Sequence, residues 1–304
     1  MTDDAVAPVI AAMLILAVVV TFFAAWNAYY VPSMKAQSEI NHIKDVETGF
    51  LQFSSDIDTA ASMKRDMRLS EAILLGGGDF TFDPVKSGGE LTIRNALPGK
   101  FLRLNWTNET DRSDSDYYCS LVDVSYEPVN NFWQDQGYRW VNGTVYVKNA
   151  ERNLSTPLLF SDEQNITYGL AGSLIDLEYA PAYSSPGNCS SMTVRVVNIT
   201  PDSRHFRASG NGNAMLVLES TEMPPERVIN ATSLNISIST KFPEQFRTGL
   251  WNSMNSSIDD ALASCGNIQR TKQTETEVQL TFRTYPHPNL TLIRETTEIT
   301  IGAY

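Results

Sequence analysis

Residues 5–31 read AVAPVIAAMLILAVVVTFFAAWNAYYV, a run without a single Asp, Glu, Lys, Arg or His. As an α-helix rising about 1.5 Å per residue, the run spans roughly 40 Å, more than the ~30 Å hydrocarbon core of a bilayer. Its apolar residues prefer no face, so the helix is built to be surrounded, by lipid or by other apolar helices. Trp26, Tyr29 and Tyr30 stand at its far end, where amphipathic rings favour the headgroup level, and Pro32 follows them. A cleavable secretory signal fits poorly. Such signals begin basic and carry an apolar region of about 7–15 residues, whereas this chain begins Met-Thr-Asp-Asp and its run is twice as long.

Overall composition narrows the possible partners. Among 304 residues, 35 acidic against 23 basic side chains give a formal charge of −12, which argues against a nucleic-acid partner. Asn-X-Ser/Thr sequons begin at Asn105, Asn108, Asn142, Asn153, Asn165, Asn188, Asn198, Asn230, Asn235, Asn255 and Asn289, all downstream of the apolar run. Their number favours an extracytoplasmic, N-glycosylated domain. The flanking charges point the other way, because Asp3 and Asp4 precede the run while Lys35 and Lys44 follow it. The sequons take precedence, since large domains translocate largely regardless of flanking charge.

From Ser33 the pattern becomes that of an amphipathic helix. Ile43, Val46, Phe50, Phe53, Ile57, Ala60 and Met67 fall on heptad a and d positions, with Lys64 at the one a position that breaks the series. The stripe continues to Leu74, and Gly76, Gly77 and Gly78 read as a left-handed C-terminal cap. Helix over about 4–75 would be roughly 105 Å long, with a bend at Pro32. The expected organisation is therefore an apolar helix over 1–32, an amphipathic continuation over 33–78 and a head over 79–304.

The head reads as β structure. Alternating apolar and β-branched runs occupy 90–95, 100–107, 117–126, 138–148, 174–179, 191–200, 214–219, 228–240, 275–285 and 289–301. Asn142-Gly143 between YRWV and TVYV is the strongest hairpin signal, since a type I′ turn needs positive φ at both central residues. One helix interrupts the series over about 243–265, with Pro243 in its first turn and Phe246, Leu250, Met254, Ile258 and Leu262 along one face. The expected fold class is α+β: one long N-terminal helix, then an antiparallel, sandwich-like β-rich head with one packed helix. The Ser/Pro/Gly-rich stretch 180–188 is the place to divide the head, near 180–190, if it holds two subdomains.

Of Cys119, Cys189 and Cys265, the preferred disulfide couple is Cys119 with Cys189, because both sit in or beside predicted strands. Their spacing, in a chain with three histidines, makes no zinc site, and no cofactor is expected. His42, His205 and His287 form no Ser-His-Asp or Cys-His arrangement by spacing, so no catalytic residue is proposed. Asp111, Asp114 and Asp116 could hold Ca²⁺ in a loop but lack the glycine and distal glutamate of an EF-hand; a solvated acidic loop is the simpler reading. Trp106, Trp133 and Trp140 would matter to a ligand-binding head if clustered in a concavity, and are otherwise core residues.

Residues 3–50, DDAVAPVIAAMLILAVVVTFFAAWNAYYVPSMKAQSEINHIKDVETGF, resemble the archaeal type IV pilin-like proteins. The match is carried by Ala5, Val6, Ala7, Pro8, Val9 and Ile10. The segment LGGGDFTFDPVKSGGELTI at 75–93 is similar to one that follows the helix in larger members with β-rich heads. The resemblance implies a filament core made of the helix residues Ala5, Pro8, Val9, Ile10, Leu14, Val18, Phe22 and Trp26, packed against other copies. It also implies membrane insertion before assembly, and, if the chain is processed, a prepilin peptidase and pilus assembly machinery as partners. No Lys or Arg precedes the apolar run in this sequence, so the family's basic leader motif is not seen. The expected function is a structural subunit of a surface filament with a glycosylated head. The alternative is a single-span anchored glycoprotein whose head binds a ligand or partner without polymerising.

Overall fold

The computed structural model describes residues 6–77, 87–108, 114–129, 136–149, 154–158, 163–183, 185–283 and 290–304. Helix α1 (Val6–Ala25) leads through a five-residue π-helical turn (Trp26–Tyr30) into α2 (Val31–Met63). The three are continuous, about 85 Å of helix at 1.5 Å per residue. The π turn has a local cause. Pro32 has no N–H to return to the carbonyl four residues back, and the widened turn, closed by Val31 N–H on the Trp26 carbonyl, absorbs the missing bond.

The helix stops earlier than its apolar stripe suggests. Lys64, the residue that breaks the heptads, takes φ 47° and ψ 47° and caps α2 in the left-handed conformation, its N–H on the Ala60 carbonyl. The stretch after it is strand β1 (Met67–Leu74). Met67 continues the heptad series, but Met67, Leu69, Ile73 and Leu75 are two or four apart and satisfy a strand period, and pairing with β10 (Asn213–Glu222) decides the matter. Nor do the glycines cap a helix. A Cβ on Gly77 would lie 2.4 Å from His42 Cγ, and one on Gly76 would lie 2.7 Å from backbone atoms of Ser87 and Asn211. They are there to let chains approach closely. Gly78 lies outside the described residues.

The described residues of the head form two sheets. Sheet A has the order β1-β10-β15-β8-β7, with β7 (Ile175–Pro181), β8 (Cys189–Pro201) and β15 (Thr291–Ala303); β11 (Glu226–Val228) also pairs with β15. Its β8–β15 pair is parallel, from Ser191 opposite Thr291 to Pro201 opposite Ile301, while the other pairs of the sheet are antiparallel. Sheet B begins with β13 (Ile268–Gln273), β14 (Glu277–Phe282) and β12 (Ala231–Ile238). It continues through β2 (Gly88–Asn108), β3 (Asp114–Val129), β4 (Gln136–Val141), β5 (Thr144–Asn149) and β6 (Leu154–Pro157), with β9 (Arg207–Gly210) on β2. The two predicted runs 90–95 and 100–107 are one strand, β2, whose register against β3 shifts between Asn95 and Leu102 beside Gly99 at φ 97°. Asn142 and Gly143 take φ 54° and 86° and close the β4–β5 hairpin as the dipeptide requires.

Helix α4 (Glu244–Ser264) has Pro243 as its N-cap residue, and Phe246, Leu250, Met254 and Ile258 are wholly buried. A second head helix, α3 (Glu163–Leu174), was not expected; it sends Leu170, Ala171 and Leu174 into the core and packs against α4. The stretch 180–188 joins β7 to β8, neighbours in one sheet, and one continuous buried cluster runs through both sheets.

The disulfide differs from the expected couple. Cys189 bonds Cys265, with their Cα atoms 5.3 Å apart, while Cys119 is a buried free thiol on β3. Cys119 lies next to Ser120, which bonds Asn198 on β8, and Cys189 is nine residues back along that strand, about 30 Å away at 3.3 Å per residue and far beyond bridging distance. Cys265 instead caps α4 where it returns to the start of β8. There the buried Asn267 side chain accepts from the Cys189 N–H at 2.9 Å and donates to its carbonyl at 2.8 Å.

Candidate functional site

The spine divides sharply into a bare half and an embedded half. From Pro8 to Tyr30 every side chain is exposed, including Pro8, Val9, Ile10, Leu14, Val18, Phe22 and Trp26 of the predicted filament core; Ala5 lies outside the described residues. Leu14 is 62% exposed and Val18 66%, although both would gain by burial. The few polar side chains bond back to the helix. Thr21 Oγ1 donates to the Ala17 and Val18 carbonyls, and Asn27 Nδ2 to the Phe23 carbonyl. By length and composition the helix can cross a membrane. Phe22, Trp26 and Tyr30 stack along one side near its end, with centroids 6.2 and 4.2 Å apart.

Embedding begins on α2 near Glu39, which is fully buried. His42, Val46, Phe50, Phe53 and Ile57 recur at three or four residues and fill a socket in the head. Phe50 meets Tyr138 at 6.0 Å and Phe53 meets Trp140 at 6.4 Å between centroids. Two polar pairs join across the socket: Trp140 Nε1 donates to Ser54 Oγ at 3.0 Å, and the Tyr138 hydroxyl to Glu47 at 2.9 Å. Burial and the Glu47 carboxylate push the Tyr138 phenol up. The opposite side of α2 is polar and stitched to itself, as in the Gln37–Asn41 and Gln52–Asp56 bonds.

A cleft of about 480 Å³ opens where α2 ends on sheet A, lined by Lys64, Asp176, Arg195, Glu222 and Glu295. Asp176, Arg195 and Glu295 are register partners on β7, β8 and β15. Arg195 bonds Glu178, reaches Glu295 at 2.7 Å and lies 3.7 Å from Asp176, so its charge is spent within the network. Burial lowers the pKa of Lys64. This is an ion-pair network that joins three strands.

The other residues singled out in the sequence are structural. Trp106 is 4% exposed beneath Arg294, and Trp140 belongs to the α2 socket; Trp133 lies outside the described residues. Asp116 sits on β3 and binds Arg103 and Asn105, hydrogen bonds that hold its carboxyl below the usual range; Asp111 lies outside the described residues. His42 bonds Tyr126, and His205 bonds Asp202 and stacks on Tyr304. His287 lies outside the described residues.

The sequon asparagines are dispersed over the head. Asn105 and Asn108 lie on β2, Asn142 in the β4–β5 turn, Asn165 in α3, Asn188 just before β8 and Asn198 on β8. Asn230 lies in the β11–β12 turn, Asn235 on β12 and Asn255 on α4, while Asn153 and Asn289 lie outside the described residues.

Comparison with known proteins returned no matching family model, no matching curated protein and no matching solved structure.

Proposed function

We propose that this chain is a structural subunit of a type IV pilus-like surface filament, assembling through α1 with further copies of itself and exposing its head. One observation carries the reading: a single continuous helix is half socketed in the head and half bare on every side. A helix of that kind can exchange lipid for neighbouring apolar helices at little cost, and Ala11, Ala12, Ala17, Ala24 and Ala25 permit close approach. The resemblance of residues 3–50 to archaeal pilin-like proteins supports the same assignment. The Cys189–Cys265 disulfide and the sequons support a head on the oxidising side of the membrane.

Electron microscopy and N-terminal mass spectrometry of material sheared from the native cell surface test the proposal. Filaments containing this chain, disappearing in the variant Leu14→Arg/Val18→Arg, are the expected result. A chain that is monomeric in detergent and absent from sheared filaments overturns it. The Phe22–Trp26–Tyr30 ladder, placed where a headgroup layer would lie, favours a second reading as a single-span anchored glycoprotein that never polymerises.

A further inference from the structure

We propose that the folded head carries N-linked glycans at Asn142 and Asn230, and that Asn188, Asn198 and Asn235 stay unmodified. The proposal rests on the reading that the head lies outside the cytoplasm. A glycan replaces one hydrogen of the asparagine amide nitrogen and needs open space beyond it, so the surroundings of each Nδ2 decide which sequons can be filled.

Asn142 and Asn230 share two properties. Both hold the left-handed conformation at a turn between strands, with φ of 54° and 61°, and both are part-exposed. Among the described residues neither finds an acceptor for Nδ2. For Asn142 the buried atom is Oδ1, which has no partner, whereas Nδ2 reaches solvent. Both atoms of the Asn230 amide reach solvent.

The three excluded positions fail for distinct reasons. Asn188 is only 9% exposed, wedged where Gly266 packs against its Oδ1. Asn198 ties the two sheets together, accepting from the Ser120 N–H at 2.7 Å and donating Nδ2 to Glu298 at 2.9 Å. A sugar there would have to part β3 from β8. Asn235 donates Nδ2 to Glu277 at 2.8 Å across the β12–β14 pair, and its Oδ1 is buried.

The position of Asn230 fits this role. Next to it the Ala231 N–H bonds the Leu290 carbonyl, whereas α2 ends beside Ser220, which faces Ile299. The extended chain from Leu290 to Ile299 separates those levels by about 30 Å at 3.3 Å per residue. A glycan on Asn230 therefore sits at the end of the head opposite the bare helix and leaves that helix free to pack.

Glycopeptide mass spectrometry on the full chain purified from its own cells tests the assignment, alongside the variants Asn142→Asp and Asn230→Asp, which remove the sequon but tolerate positive φ. The expected result is glycan on both peptides, loss of one glycan mass in each variant, and bare Asn188, Asn198 and Asn235. Glycan on any of those three, or bare Asn142 or Asn230, overturns it. Protease treatment of intact cells reads orientation separately. A cleaved head with bare turns defeats only the glycan assignment, whereas a protected head defeats the outward-facing reading as well.

Discussion

His42 Nε2 lies 2.9 Å from the Tyr126 hydroxyl, which donates to the Leu75 carbonyl at 3.0 Å. With that hydroxyl proton committed, His42 is the donor from Nε2, and Nδ1 is left buried without a partner. The contact ties α2, β3 and the end of β1 together at the point where the spine enters the head.

Protonating His42 would place an N–H at Nδ1 with nothing to accept it. Burial accordingly lowers its pKa below 6.5, against the opposing pull of Asp45 and Glu39 on the same helix. The folded state resists the charge that the unfolded state accepts, so stability is full above the unfolded value and falls as pH drops below 6.5. The loss is at most about 1.4 kcal/mol per pH unit. Thermal unfolding of the full chain in detergent should show His42→Gln losing less stability than wild type between pH 7 and 5. Parallel curves would contradict this account.

Asp58 carries the opposite sign. Burial raises its carboxyl from 3.8 to about 7, and its Oδ1 is buried without a partner. The folded state favours the protonated form, so stability is present below the unfolded value of 3.8 and is lost as pH rises towards about 7. Asp58→Asn should match wild type at the acid end, gain through this range and level off above it. The plateau is about 1–2 kcal/mol once solvent screening is allowed for. Melting temperatures of both proteins across the range decide it.

Cysteine chemistry is readable by alkylation. The native chain should take up no label, because Cys119 is buried and the other two are bonded, and denaturation without reductant should expose Cys119 alone. Cys265→Ser should cost about 2–4 kcal/mol, since the bridge closes a long loop of the unfolded chain. Labelling of Cys189 or Cys265 before reduction would refute the pairing.

The socket gives the largest expected loss. Phe53 is 1% exposed against Trp140, and Phe53→Ala should destabilise by about 3–5 kcal/mol through lost transfer energy and the cavity left behind. Gln52→Ala, on the exposed side one residue away, should change stability by less than about 0.5 kcal/mol. Chemical denaturation of both variants separates embedded from solvated faces.

Much of this fold was legible in the sequence where a strong local signal met little tertiary competition. The uniform run of α1, the 3.6-residue stripe of α4 and the Asn142-Gly143 turn all formed where they were read. Strand β1 was not, because Met67 continues the heptad series of α2 and only pairing with β10, far along the chain, selects the strand. Helix α3 was hidden by Gly169 and Gly172, which weaken helix propensity. The disulfide depended on where α4 returns to sheet A, which no spacing of cysteines encodes. For the candidate site, the apolar character of the spine was plain, but the depth of its socket and the accessibility of each sequon depend on three-dimensional neighbours.

The placement of β15 sets the order of synthesis against the order of folding. This strand follows the other described strands in the chain, yet it lies between β10 and β8 in the middle of sheet A and pairs with both, and with β11. Until the ribosome has delivered it, β10 and β8 have no shared neighbour, and their edges stand open to any strand nearby. Until then the head is incomplete, lacking its central strand. A chain stalled short of residue 291 would present unpaired edges, a ready substrate for quality-control proteases.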